Sequence, residues 1–75
     1  MNETAREDGT YIYFQAAGDG WLLLNKQSQE LLGAVRWYAH WRRYVVADLV
    51  YGVVLDAVCL REIADFLDRK AKERR

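Results

Sequence analysis

Apolar and strand-favouring residues come along this chain in short blocks separated by polar or glycine-bearing segments. Tyr11–Gln15 and Trp21–Asn25 are two such blocks. Between them Ala16-Ala17-Gly18-Asp19-Gly20 supplies glycines that accept the positive φ of a hairpin turn, so a first hairpin is predicted. Lys26–Glu30 reads as a second turn, and Leu31–Tyr38 as a strand with Gly33 inside it. An interior glycine weakens a strand, so Gly33 points to a bulge or to the close approach of an aromatic ring.

Ala39-His40 falls between two aromatic blocks and reads as a tight turn. An antiparallel register about it pairs Tyr38 with Trp41, Trp37 with Arg42, Arg36 with Arg43 and Val35 with Tyr44. One face then carries Gly33, Val35, Trp37, Arg42, Tyr44 and Val46, and the other Ala34, Arg36, Tyr38, Trp41, Arg43 and Val45. Tyr51–Leu55 is a further β-branched run. Asp56 suits the N-cap of a final helix whose Leu60, Ile63, Ala64 and Leu67 recur at helical spacing, with Cys59 and Phe66 at the margins. One long helix from Arg43 to Lys72 also fits the apolar spacing, but five valines between Val45 and Val54, with Gly52, disfavour it.

Met1–Thr10 is polar and without periodicity, so it reads as a disordered leader before a single domain over residues 11–75. The predicted fold is α+β: a small antiparallel sheet of four or five strands with one C-terminal amphipathic helix packed on one face.

At 75 residues there is room for one core only, and 52% hydrophobic content with 13% aromatic favours a packed globule over disorder. Eleven basic and eleven acidic residues cancel, so any electrostatic recognition is local. The basic run Arg69, Lys70, Lys72, Arg74 and Arg75 reads as complementing the dipole at the end of a helix, with a phosphate-binding tail as the alternative. A single cysteine, Cys59, excludes an internal disulfide and a multi-cysteine zinc site, which fits a reducing cytoplasm. No signal-peptide pattern opens the chain. The apolar stretch Tyr44–Leu60, interrupted by Asp48 and Asp56, is too short for a bilayer span of ~20 apolar residues and is assigned to the core.

No catalytic constellation emerges. His40 and Cys59 are assigned to a turn and a helix start, Asp48, Asp56, Asp65 and Asp68 to caps and surfaces, and Gly18 with Gly20 to a hairpin. No enzyme activity, cofactor or metal is expected. Arg42, projecting with Trp37 and Tyr44 toward the helix, would need Asp65, Asp68 or backbone carbonyls at the helix end as a partner, with an indole to stack on. Arg36 and Arg43, placed opposite each other, would repel and invite an anion, with Tyr38 and Trp41 beside them. These four residues, Arg36, Tyr38, Trp41 and Arg43, form the expected partner-binding patch.

From Trp21 onward the chain resembles short uncharacterised proteins of tailed phages and prophages. The shared pattern is W-x-V-x-N, then L-G-x-V-x-W-Y-x-x-W-R-x-Y-x-F, then C-L-x-x-I-A-x-F-L. It falls here on Trp21, Leu23 and Asn25, on Leu32, Gly33, Val35, Trp37, Tyr38, Trp41, Arg42, Tyr44 and Val46, and on Cys59, Leu60, Ile63, Ala64, Phe66 and Leu67. Where relatives often carry a proline after the arginine-tyrosine strand, this chain reads Ala47-Asp48-Leu49-Val50. The resemblance implies a phage origin and a sheet-plus-helix fold, and no mechanism. The expectation is a non-enzymatic phage-encoded accessory protein in the host cytoplasm. It would bind and modulate a host protein complex, for example by inhibiting a defence system such as a CRISPR effector. Single-stranded nucleic-acid binding on the aromatic and arginine face is the alternative. Homodimerisation through an exposed strand edge is a third reading.

Overall fold

A computed structural model describes residues 5–74. Five strands, β1 (Arg6–Asp8), β2 (Ile12–Ala17), β3 (Gly20–Asn25), β4 (Leu31–Tyr38) and β5 (Arg43–Ala47), are followed by one helix, α1 (Ala57–Glu73). The strands pair antiparallel with their chain neighbours, in the order β1-β2-β3-β4-β5, and α1 packs against one face. The fold is α+β, as the residue pattern predicts.

The β2–β3 turn is two residues long, with Gly18 at φ 59° as such a turn requires. Asn25 closes the next loop, its Oδ1 accepting the backbone N–H groups of Gln27 and Ser28. Between Leu23 and Leu24 the β3–β4 register shifts, because Leu32 adds an extra residue to β4. Gly33 is therefore next to a bulge, and it is Leu49 that comes close, not an aromatic ring. A Cβ on Gly33 would lie 3.1 Å from Leu49 Cδ2 and 3.3 Å from the Ala47 carbonyl oxygen.

Alternation along the strands puts Ile12, Phe14, Leu23 and Val35 under the helix, where they form the core with Leu32, Ile63 and Phe66. Phe66 stacks on Phe14 with ring centroids 3.8 Å apart and meets the Trp21 ring edge-on at 5.1 Å. The helix begins at Asp56, whose Oδ1 accepts the Cys59 N–H at 2.9 Å. That bond holds the Asp56 carboxyl below its ordinary pKa, while burial, aided by Asp56, raises the Cys59 thiol.

Four expectations need correction. Order starts before Tyr11: Arg6–Asp8 pairs with Tyr13–Gln15, while Met1–Thr4 lie outside the described residues. Tyr51–Leu55 is a turn and an irregular segment, not a strand, because Gly52 takes φ 86° and breaks the extended run. The stretch Tyr44–Leu60 is only partly core. Val53, Leu55 and Cys59 pack inward, whereas Leu49, Tyr51, Val54 and Leu60 are exposed. Lastly, the buried helical stripe runs through Cys59, Ile63, Phe66 and Lys70, so Phe66 is its centre and not its margin, and Leu60 and Ala64 face out.

Lys70 is the one buried charged residue among those described. Its ammonium lies 4.6 Å from the Trp21 ring centroid and pairs with Glu7 of β1 and, at 3.1 Å, with Glu73. Arg69 reaches the same Glu7 carboxylate at 2.6 Å. Burial alone would raise the Glu7 carboxyl, but hydrogen bonds from Lys70 and Arg69 outweigh it and hold Glu7 below the ordinary 4.5. For Lys70, burial lowers the pKa and the bonds to Glu7 and Glu73 more than restore it, leaving it above 10.5.

In urea unfolding, Phe66→Ala should cost about 3–5 kcal/mol, whereas Leu60→Ala, at a half-exposed site, should cost less than about 1 kcal/mol. Because the folded pKa of Glu7 is depressed, its contribution is complete above pH 4.5 and is lost as pH falls through the lower folded value. Glu7→Gln should therefore lie about 1–3 kcal/mol below the parent near neutrality, between the exposed and buried ion-pair limits. That gap should close in acid, as read by denaturation midpoints along a pH series.

Candidate surface cleft on the uncovered sheet face

The connection between β4 and β5 spans four residues, Ala39–Arg42, not two. Tyr38 consequently pairs with Arg43, Trp37 with Tyr44, Arg36 with Val45 and Val35 with Val46. Relative to the expected register, every partner moves by two residues. Side chains alternate with a period of two, so the faces are conserved although the partners are not. Val35, Trp37, Tyr44 and Val46 lie on the helix side. Arg36, Tyr38, Arg43 and Val45 lie on the other face, which no helix covers.

Two corrections follow from the longer loop. Arg42 is an exposed turn residue at φ 54°, outside the strand pair, and borders a depression with Trp37, Ala71 and Arg74. The guanidinium on the Trp37 indole belongs instead to Arg74, 3.9 Å from the ring centroid, and Arg74 Nη1 donates to the Tyr44 hydroxyl at 3.3 Å. Asp65 and Asp68 are exposed and form no ion pair among the described residues. Nor do Arg36 and Arg43 face each other. Arg36 Nη2 pairs with Asp48 at 2.6 Å, immediately beyond the end of β5.

Three of the four expected patch residues do come together. Arg36, Tyr38 and Trp41 line a cleft of about 460 Å3 with Trp37, Val45 and Ala47 among its other walls. The Trp41 indole, 66% exposed, stands edge-on to the Tyr38 ring at 5.1 Å, and His40 lies alongside that ring at 5.8 Å. Arg43 is the exception. It borders a different depression, beside Trp37, Arg42, Ala71 and Arg74. The residues missed in the sequence are Asp48, which neutralises Arg36, and Val45 and Ala47, which make the cleft apolar. An Asp just past an edge strand was the available signal for the first, since Asp tolerates the left-handed backbone that it adopts here at φ 54°.

The cleft lies next to an open sheet edge, because β5 is hydrogen-bonded to β4 alone. Its walls are an exposed indole and phenol over aliphatic side chains, with one guanidinium paired to Asp48. Among the described residues, no group of His, Cys, Asp or Glu is placed to hold a metal ion, and no helix is long and apolar enough to cross a membrane. His40 stays in the β4–β5 turn and Cys59 in the first turn of α1.

The chain was compared with family models, with curated proteins and with solved structures. None matches.

Trp41 contributes to the cleft and little to the core. Trp41→Ala should lower stability by less than about 1 kcal/mol. It should also remove most of the acrylamide-quenchable tryptophan fluorescence, since Trp21 and Trp37 are partly buried.

Proposed function

We propose that this chain is a non-enzymatic binding module that docks a protein partner on the uncovered face of β4 and β5. The single observation that carries this reading is the cleft of Arg36, Tyr38 and Trp41 beside the free edge of β5. Exposed aromatics around an apolar depression suit a hot spot, where a side chain of the partner is buried between rings. The open edge offers backbone hydrogen bonds to an extended segment of that partner. The phage-like sequence pattern supports a host protein complex as the partner and an accessory, modulating role, with inhibition of a defence complex as one instance.

The nucleic-acid reading is weaker on this face, because Asp48 cancels Arg36 and Arg43 stands outside the cleft. Stacking on Tyr38 and Trp41 would then lack the phosphate contacts that normally dominate such affinity.

The test is affinity capture from bacterial host lysate with the parent chain, Trp41→Ala and, as an exposed apolar control, Leu60→Ala. A protein recovered by the parent and by Leu60→Ala but lost with Trp41→Ala is the expected result. Equal recovery by all three would overturn the assignment. Concentration-dependent sedimentation abolished by Trp41→Ala would instead reassign the cleft to self-association.

A further inference from the structure

The charges of this net-neutral chain are sorted in space. Arg6, Lys26, Arg36, Arg69 and Lys70 each lie within ion-pair distance of a carboxylate. Arg42, Arg43 and Arg74 form no ion pair among the described residues, and all three line one depression of about 360 Å3, with Trp37 and Ala71. The sheet supplies two of them, from the last residue of the β4–β5 turn and the first of β5. The helix supplies the third, the C-cap residue of α1.

Arg74 is held in place by the Trp37 indole at 3.9 Å and by the Tyr44 hydroxyl. An immobilised guanidinium has less side-chain freedom left to lose when an anion arrives. Arg42 is held in a different way. Its φ of 54° is a conformation that glycine adopts more readily, and its guanidinium forms no hydrogen bond or ion pair among the described residues. Strain retained under a charged side chain is a feature of binding sites.

Two effects oppose an anion here. The helix C-terminus carries a partial negative charge, which a basic residue such as Arg74 offsets on its own. That accounts for one arginine, but not for the two contributed by the sheet. Asp68 borders the neighbouring depression together with Arg43 and Tyr44, yet it forms no ion pair, and Glu73 is engaged by Lys70 at 3.1 Å. Three arginines thus line one hollow, and no carboxylate residue among the described residues lines it.

We propose that this hollow is a phosphate-binding site in which Arg42, Arg43 and Arg74 converge on the oxygens of one phosphate group. Guanidinium forks match phosphate oxygens in geometry and in charge. The site is separate from the protein-docking cleft, with which it shares Trp37 alone. A free phosphate compound and the backbone of a single-stranded nucleic acid present the same chemistry.

Two-dimensional NMR of the full chain, following the arginine Nε–H and indole N–H signals, tests the proposal with pyrophosphate and, separately, a short oligothymidylate. Saturable shifts at Trp37, Arg42, Arg43 and Arg74 are expected with pyrophosphate. Arg43→Gln should weaken binding about tenfold or more, and Arg61→Gln, at a helix arginine with no ion pair among the described residues, less than about twofold. The Arg43 side chain forms no hydrogen bond or ion pair among the described residues, so an unchanged circular dichroism spectrum certifies the variant. Tighter oligothymidylate binding at the same residues, falling steeply with salt, assigns the phosphate to a nucleic-acid backbone. Pyrophosphate binding without it assigns a free phosphate compound. Absence of saturation, or equal weakening by Arg61→Gln and Arg43→Gln, overturns the site.

Discussion

The fold depends on the seating of Phe66 between Phe14 and Trp21. A single helix of 17 residues is ~25 Å long and ~10 Å wide, whereas five strands at ~4.8 Å spacing span roughly 20 Å. One helix therefore covers one face of such a sheet and nothing more. A large ring at the centre of the buried stripe, fully shielded from solvent, fixes both the height of the helix and its rotation. From that rotation follow the descent of Lys70 beside Trp21 and the arrival of Arg74 over Trp37. The uncovered face follows from it as well. Its Tyr13 is buried, with the Arg6 guanidinium 3.7 Å from the ring centroid and Arg6 itself held by Asp8 at 2.6 Å. Toward β5 no such cover exists, and there Tyr38 and Trp41 remain in water.

Net neutrality conceals an uneven arrangement. At the β1 edge, Glu7 gathers Arg69 and Lys70, and Asp8 gathers Arg6 and Lys26, so four cations are absorbed by two carboxylates of one short strand. On the β5 side the one carboxylate in an ion pair among the described residues is Asp48, and it is taken by Arg36. Positive charge left over on that side belongs to Arg42, Arg43 and Arg74. The two sheet edges differ in role for this reason: one is cross-linked to the helix, the other is open and basic.

Much of the architecture was legible because strand faces depend on parity. A turn of four residues in place of two displaces each partner by two and leaves Val35, Trp37, Tyr44 and Val46 under the helix. Arg42 was misplaced because a turn residue has no face to inherit. The two failures at the chain's beginning and end share one cause. Arg6–Asp8 has no apolar alternation of its own, and Lys70, although its spacing from Ile63 and Phe66 puts it on the buried stripe, reads as a solvent residue by its charge. Each makes sense only with the other, since the Glu7 carboxylate is what makes a buried ammonium tolerable, and a contact across 63 positions leaves no local trace. Tyr51–Leu55 failed for a related reason. β-branched residues favour extended backbone, but without a neighbouring strand to pair with, Gly52 and its surroundings settle into a turn.

The strand β5 is where fold and site meet. Residues in the left-handed region flank it on both sides, Arg42 before and Asp48 after, each at φ 54°. Glycine would serve the backbone better at either position, since a side chain there costs roughly 1–2 kcal/mol. At Asp48 part of the cost is recovered inside the molecule: aspartate tolerates this conformation, and its carboxylate neutralises Arg36 at the mouth of the cleft. At Arg42 the side chain is exposed and recovers no such cost through an ion pair or side-chain hydrogen bond among the described residues. The asymmetry separates a charge that the fold consumes from one that it only carries. It also explains why stability alone cannot account for both ends of the same strand.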